Sequence, residues 1–585
     1  MRRVAITILA LTGLSAHLLS QNTPGDRAGG SAEILTADDV LAIVNVAASA
    51  LGDSSMAVAV VDRTGTILAA YTRENAGERT PDIAVSVART GAMFSHDQAP
   101  LSSRTVRFIS GIHFPPGVPN TPTAALYGVE NINRGCAIDV AGDAIFNTPL
   151  RRTRSIAGTF GPPGLAPLPC TSSDTRGCAR GGPMRDLDGN ELSSVGITTG
   201  KVDLLDSGAT DLLSVPVNPG GIPIYRGGKV IGGVGVAGVA PELAEYAATL
   251  ASAGAGRGLD FAEPLGSPGA VFIEGIRLPF FGACTTVACI RDALRQAPPG
   301  SSGGRLSDGR FVVPPMGGQQ APEGYLIGPR ASRSGSLSVA DVRRIIDQSV
   351  AVAFRTRAQI RLPINQPTRM VMAVSDEAGD ILAAYRMPDA TFFSLDVAMT
   401  KARNAFYFSS REGYDVLREY VRTNRYARYE WEPEPPAGQG WALTARTLSF
   451  GGQPLFPPGI DLEVPPTPGP WFDLFAYDSV NPCTEGPGRS RGGNRSYFNQ
   501  SGIVWFAGSV PLYKDGRLVG GLGVSGDGVE QDDYVSQLGS EGFHPPDELR
   551  VDNSEIRAGE GRAIRLPYLK YPRHPEFGEN GVSGK

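Results

Sequence analysis

The residues of this 585-residue chain whose types and spacing could do chemistry gather in the stretch "KARNAFYFSSREGYDVLREYVRTNRYARYEW". Its helical spacing places Lys401, Arg403, Phe406 and Tyr407 on one helix, with Arg411 just beyond it. Arginine can hold a carboxylate in a bidentate pair, and Phe or Tyr can stack on a flat ring. The competing reading packs the aromatics into a core and leaves the cations on a solvated face. Four histidines follow the N-terminal region, His96, His113, His544 and His574. A second feature is the glycine spacing G-x-G-x-x-G, present as "GGVGVAG" (232–238) and again as "GGLGVSG" (520–526).

Catalytic signatures are absent. The chain contains no H-E-x-x-H or Walker loop, and no C-x-x-C pair for a zinc ribbon or C-x-x-C-H for covalent haem; the G-x-S-x-G spacing occurs only in Gly/Ser/Arg-rich runs, at 300–304 and 488–492. Asp62 and Asp376 recur in a D-x-x-G setting, which marks turn residues whose side chains cap their own backbone. These absences argue against an enzyme without deciding the matter.

The elements that must position these residues come in two copies. "VVDRTGTILAAYTRENA" (60–76) matches "VSDEAGDILAAYRMPDA" (374–390), and "RTVRFISGIHFPPGV" (104–118) matches "RTLSFGGQPLFPPGI" (446–460). "PIYRGGKVIGGVGVAG" (223–238) matches "PLYKDGRLVGGLGVSG" (511–526), and "GIRLPFF" (275–281) matches "AIRLPYL" (563–569). The offsets of 314, 342, 288 and 288 place one insertion in each copy. The reading is therefore a tandem repeat: unit 1 at 35–290, a Gly/Pro/Ser-rich linker at 291–335 and unit 2 at 336–572.

Each unit reads as α-β-β-α-β-β-α, an α/β domain of α+β type with an antiparallel sheet flanked by helices and long loop-rich insertions. Thr36 and Ser338 are the expected caps of the opening helices. Gly227-Gly228 and Asp515-Gly516 are two-residue hairpin turns. The glycine-rich runs then fall in the second strand of a hairpin. A dinucleotide fingerprint must instead leave the first strand of a parallel βαβ unit. The glycines are expected to let a backbone, a helix or a flat ligand approach the sheet.

The small net charge of −5 gives no reason to expect nucleic acid as a partner. "MRRVAITILALTGLSAHLLSQN" has a basic start and a short apolar run, which reads as a signal peptide over 1–20 and a periplasmic or secreted product without a membrane span. Six cysteines suit export. Cys170 with Cys178 and Cys284 with Cys289 could each close a short disulfide loop, leaving Cys136 and Cys483.

The opening helices, the D-x-x-G hairpins followed by "ILAAY", the helix "AMTKARNA" and the final "YKDGRLVGGLGVSG" resemble the GlcG/HbpS-like family of haem-binding-type domains. The resemblance covers about half of each unit and implies a domain that self-associates and binds haem, another tetrapyrrole or iron. It makes Lys401, Arg403, Tyr407 and Arg411 candidate cofactor-binding residues. It also makes His96, beside the family's ligand-facing helix, the candidate axial and metal ligand. The family's helix lysine is Lys401 in unit 2 but Val87 in unit 1, so the first site would be altered or lost. Two rivals stand beside this reading. One is a non-catalytic interaction protein that offers its duplicated domains and Pro-rich insertions to a protein partner. The other is an enzyme acting on a small carboxylate, with Lys401 as the working cation.

Overall fold

The computed structural model describes residues 34–77, 80–109, 219–261, 272–273, 276–362, 366–453, 456, 467–475, 503–561 and 563–577. The expected signal peptide, His113 and Cys136, Cys170, Cys178 and Cys483 lie outside them.

Helix α1 (Ala37–Ala50) opens at Thr36, whose hydroxyl accepts from the Asp39 backbone N–H while the Asp39 carboxylate accepts from Thr36 N–H. This reciprocal cap contributes about 1 kcal/mol. Strands β1 (Ala57–Asp62) and β2 (Ile67–Arg73) form a hairpin, followed by α2 (Thr80–Phe94) and the short α3 (Ser103–Ile109). Strands β3 (Gly221–Arg226) and β4 (Lys229–Ala237) make the second hairpin, and α4 (Pro241–Gly254) follows. The small pair β5 (Phe272–Ile273) and β6 (Ile276–Arg277) precedes α5 (Val287–Leu294). Cys284 and Cys289 form a disulfide just there.

The expected linker is more than a connector. It contains β7 (Gly309–Val313) and β8 (Gly324–Ile327). β7 pairs with β2 and β8 with β10, so this segment supplies an edge strand to each of two sheets.

Helix α6 (Val339–Arg355) opens at Ser338 with the same reciprocal cap, through Asp341. After it come β9 (Val371–Asp376), β10 (Ile381–Arg386), α7 (Ser394–Ser409), α8 (Arg411–Arg422), β11 (Tyr429–Glu432) and α9 (Ala445–Gly451). β12 (Ser509–Lys514), β13 (Arg517–Ser525), α10 (Val529–Gly539), β14 (Glu555–Ala558) and β15 (Ile564–Arg565) complete the order. The fold is α+β, with antiparallel sheets between helices.

The two main sheets have the orders β3-β4-β1-β2-β7 and β12-β13-β9-β10-β8. The hairpin turns are as expected: Gly227 and Gly228, like Asp515 and Gly516, all have positive φ. Asp62 Oδ1 accepts from the backbone N–H of Thr64 and Thr66, and Asp376 Oδ1 from those of Ala378 and Asp380.

The glycine-rich strands bring a helix close. A Cβ on Gly235 would stand 2.0 Å from the Ala84 carbonyl oxygen on α2, and one on Gly523 would stand 2.0 Å from that of Ala398 on α7. These positions serve helix-on-sheet contact.

Candidate functional site

Helix α7 carries the sequence candidates against β13. Lys401 is fully buried. Its Nζ donates to the Val524 carbonyl at 2.8 Å and to Asp532 Oδ2 on α10 at 3.0 Å, and stands 4.6 Å from the Phe506 ring centroid. Burial pushes the Asp532 carboxyl up to about 6 against the attraction of Lys401, and it lowers the Lys401 amine. Desolvation therefore outweighs the pair's mutual attraction. Gly508 makes room for it: a Cβ there would lie 2.7 Å from Lys401 Nζ and 2.5 Å from Asp532 Cβ.

Arg403 is also buried, and its Nε donates to the Gly379 carbonyl at 2.8 Å. Arg89 does the same in the first unit, donating to Gly65 O at 2.8 Å. The helix arginine thus ties down the D-x-x-G turn in both copies. Tyr407 is buried in an aromatic cluster with Tyr414, Trp431, Trp471 and Trp505, edge-to-face with Phe408 at 4.9 Å. Arg411 begins α8 at the surface, paired with Asp415 at 2.9 Å. Neither sequence reading anticipated this arrangement: the aromatics do pack the core, but Lys401 and Arg403 are buried with them.

His96 lies in the turn after α2, fully buried, far in sequence from α7. Its Nδ1 is 2.7 Å from the Asp389 carbonyl oxygen and 3.6 Å from Asp389 Oδ2, while Nε2 makes no hydrogen bond. Tyr225 hydroxyl donates to the His96 carbonyl at 2.6 Å. Asp389 accepts from Asp97 N–H through both carboxylate oxygens, at 2.9 and 3.0 Å. Burial raises its carboxyl, but the His96 and Arg63 contacts bring it below the usual carboxylate range. His96 thus sits where the first unit meets the turn after β10. Phe94 stacks on Phe393 at 4.0 Å in the same junction.

His544 is exposed, with Nε2 2.9 Å from Gln537 O, and His574 lies near the described C-terminal end. Arg104 and Arg446 stand at the start of the matching segments 104–118 and 446–460. Their main partners are acidic residues on the closing helices: Arg104 forms a bidentate pair with Glu245 at 2.6 and 2.9 Å, and Arg446 bonds Asp533. Arg446 also donates to the Val529 carbonyl at 3.3 Å.

The five candidate cofactor residues are therefore held by separate neighbours and do not line one haem slot among the described residues. No group of three or more His, Cys, Asp or Glu that could hold a metal occurs among those residues either. Sequence reasoning missed Asp532 as the partner of Lys401, although a signal existed. The repeat offsets put Val87 opposite Lys401 and Ala244 opposite Asp532, so the two charges enter together in the second unit and are absent together from the first.

Residues 475–541, which span β12, β13 and α10, match the family model "Haem degrading protein HbpS-like". The match lies in the C-terminal half of the chain and is consistent with a GlcG/HbpS-like domain there. No curated protein matches the chain. Among solved structures, one titled as a PduOC–haem complex is 20% identical and covers 35% of this chain and 92% of its own, with a TM-score of 0.18. A Klebsiella pneumoniae protein, ORFY, of the DUF336 family, is 16% identical and covers 34% of this chain and 81% of its own, with a TM-score of 0.17. No helix among the described residues is long and apolar enough to cross a membrane.

Proposed function

We propose that this chain binds haem, a related tetrapyrrole or an iron species, with the HbpS-like second unit as its binding domain. The match of residues 475–541 to that family supports the reading. The proposal gives no direct haem contact to Lys401, Arg403 or Tyr407, which are buried within the protein, or to His96, which is closed into the junction. Arg411 keeps an exposed guanidinium that a propionate could reach. We further propose that the protein is exported. The basic and apolar N-terminus motivates this, and the Cys284–Cys289 disulfide suits an oxidising compartment.

Titrating haemin into the purified full chain, followed by absorbance, tests the reading. A saturable Soret shift is expected, reaching its plateau at one haem per chain. A titration that shows only free haemin overturns the proposal. It would favour the second reading, an interaction protein, for which the extensive contact between the units is the supporting observation.

A further inference from the structure

We infer that the junction between the two units holds a binding site for a small oxyanion, a carboxylate or phosphate of a few non-hydrogen atoms, with Arg63 as its anchor. A cleft of about 110 Å³ lies there, lined by Arg63, Asp97, Lys229, Glu323, Arg386 and Asp389 among others. It is smaller than the ~300–1,000 Å³ of a site for drug-sized ligands, so its occupant must be small. It is also assembled from three parts of the chain: the turns and β3–β4 hairpin of the first unit, the segment before β8, and the end of β10.

Charge alone does not choose the ligand, because three cations face three carboxylates. Their existing bonds do. Asp97 already accepts from Lys229 Nζ at 2.7 Å and from Val230 N–H at 3.0 Å. Asp389 accepts twice from Asp97 N–H and faces His96. Glu323 accepts from Asp389 N–H at 2.8 Å and stands 3.5 Å from Arg386 Nη1. Arg386 itself donates to the carbonyls of Ala390 and Pro322.

Arg63 differs from all of these. Its side chain is only 5% exposed, and Nη1 bonds the Ala92 carbonyl. Nη2 is buried and makes no hydrogen bond, with Asp389 Oδ1 3.9 Å away. A buried guanidinium nitrogen left without an acceptor is costly. What the cleft lacks is therefore an acceptor, which an oxyanion supplies. Lys229, more than half exposed at the rim, gives a second cation. Lys229 aligns with Arg517, but Arg63 aligns with Glu377 and Asp389 with Asn75, so the anchor of the site exists only where the units meet.

The test uses the full chain without haem, so its outcome is independent of the haem reading. Thermal unfolding is followed with millimolar acetate, phosphate or chloride at matched ionic strength, and calorimetric titration gives the affinity. A saturable rise in midpoint with acetate or phosphate and not with chloride is expected, and which of the two acts tells an organic carboxylate from inorganic phosphate. Arg63→Gln should abolish the rise, and Lys229→Gln, at an exposed position that keeps the fold, should weaken binding several-fold. No saturable rise in the wild type, or binding unchanged in Lys229→Gln and in a folded Arg63→Gln, would overturn the inference.

Discussion

Lys401 and Asp532 carry opposite charges into a fully buried place, and the other unit puts Val87 and Ala244 at the matching positions. Removing one partner of such a pair strands the other charge in a medium that solvates it badly, at about 3–5 kcal/mol, whereas replacing both with apolar groups is often neutral or better. Lys401→Ala is accordingly expected to lower stability by about that amount, and Lys401→Val with Asp532→Ala to recover most of it; urea unfolding of the three proteins checks both. The pair also sets a pH dependence. The native Asp532 carboxyl, at about 6, holds its proton more tightly than in the unfolded chain. Its contribution is therefore fully present below about pH 4 and is lost as pH rises through about 6. From about pH 4 to about pH 7 the wild type should lose stability relative to the Val/Ala variant, by on the order of 3 kcal/mol. Parallel lines for the two proteins across that range would refute this. Lysine's presence on this helix was legible in the sequence, but its burial was not, because its partner lies 131 positions away.

At the scale of elements, helix caps, hairpin turns and the succession of helices and hairpins along the chain followed from local chemistry. Thr36 and Ser338 cap as their side chains dictate, and the positive φ values fall on Gly-Gly and Asp-Gly. The glycine-rich strands were legible as close-approach positions, although the sequence left open whether a helix or a ligand would approach. Helix backbone fills the space. Gly523→Ala would drive a Cβ to 2.0 Å from Ala398 O and should abolish soluble, cooperatively folding protein or cost several kcal/mol. Gly228→Ala, at a hairpin turn with nothing within 4 Å of the new Cβ, carries only the backbone strain of positive φ, on the order of 1 kcal/mol. Equal thermal midpoints for the two variants would contradict this assignment. The strands β7 and β8 escaped notice because short runs among Gly and Pro carry little periodic signal, and their pairing is set by the sheet edges they meet.

For the whole molecule, the decisive contact is the junction. Met93, Phe94, Ala99, Leu101 and Val106 of the first unit belong to one apolar cluster with the core of the second. A chain cut by protease between β7 and β8 should therefore stay together through gel filtration, and separation of the halves would show that the connection alone joins them. This contact was beyond reach of the repeat pattern, since Phe94 and Phe393 are not equivalent positions and His96 and Asp389 have no counterparts of the same type. The same asymmetry bears on function: the HbpS-like match falls in the second unit, where Lys401 serves the fold. The most direct measurement is a haemin titration, by absorbance, of the wild type beside the Lys401→Val, Asp532→Ala variant. The account predicts a saturable Soret shift of the same stoichiometry in both. A wild type that leaves haemin unbound would contradict it.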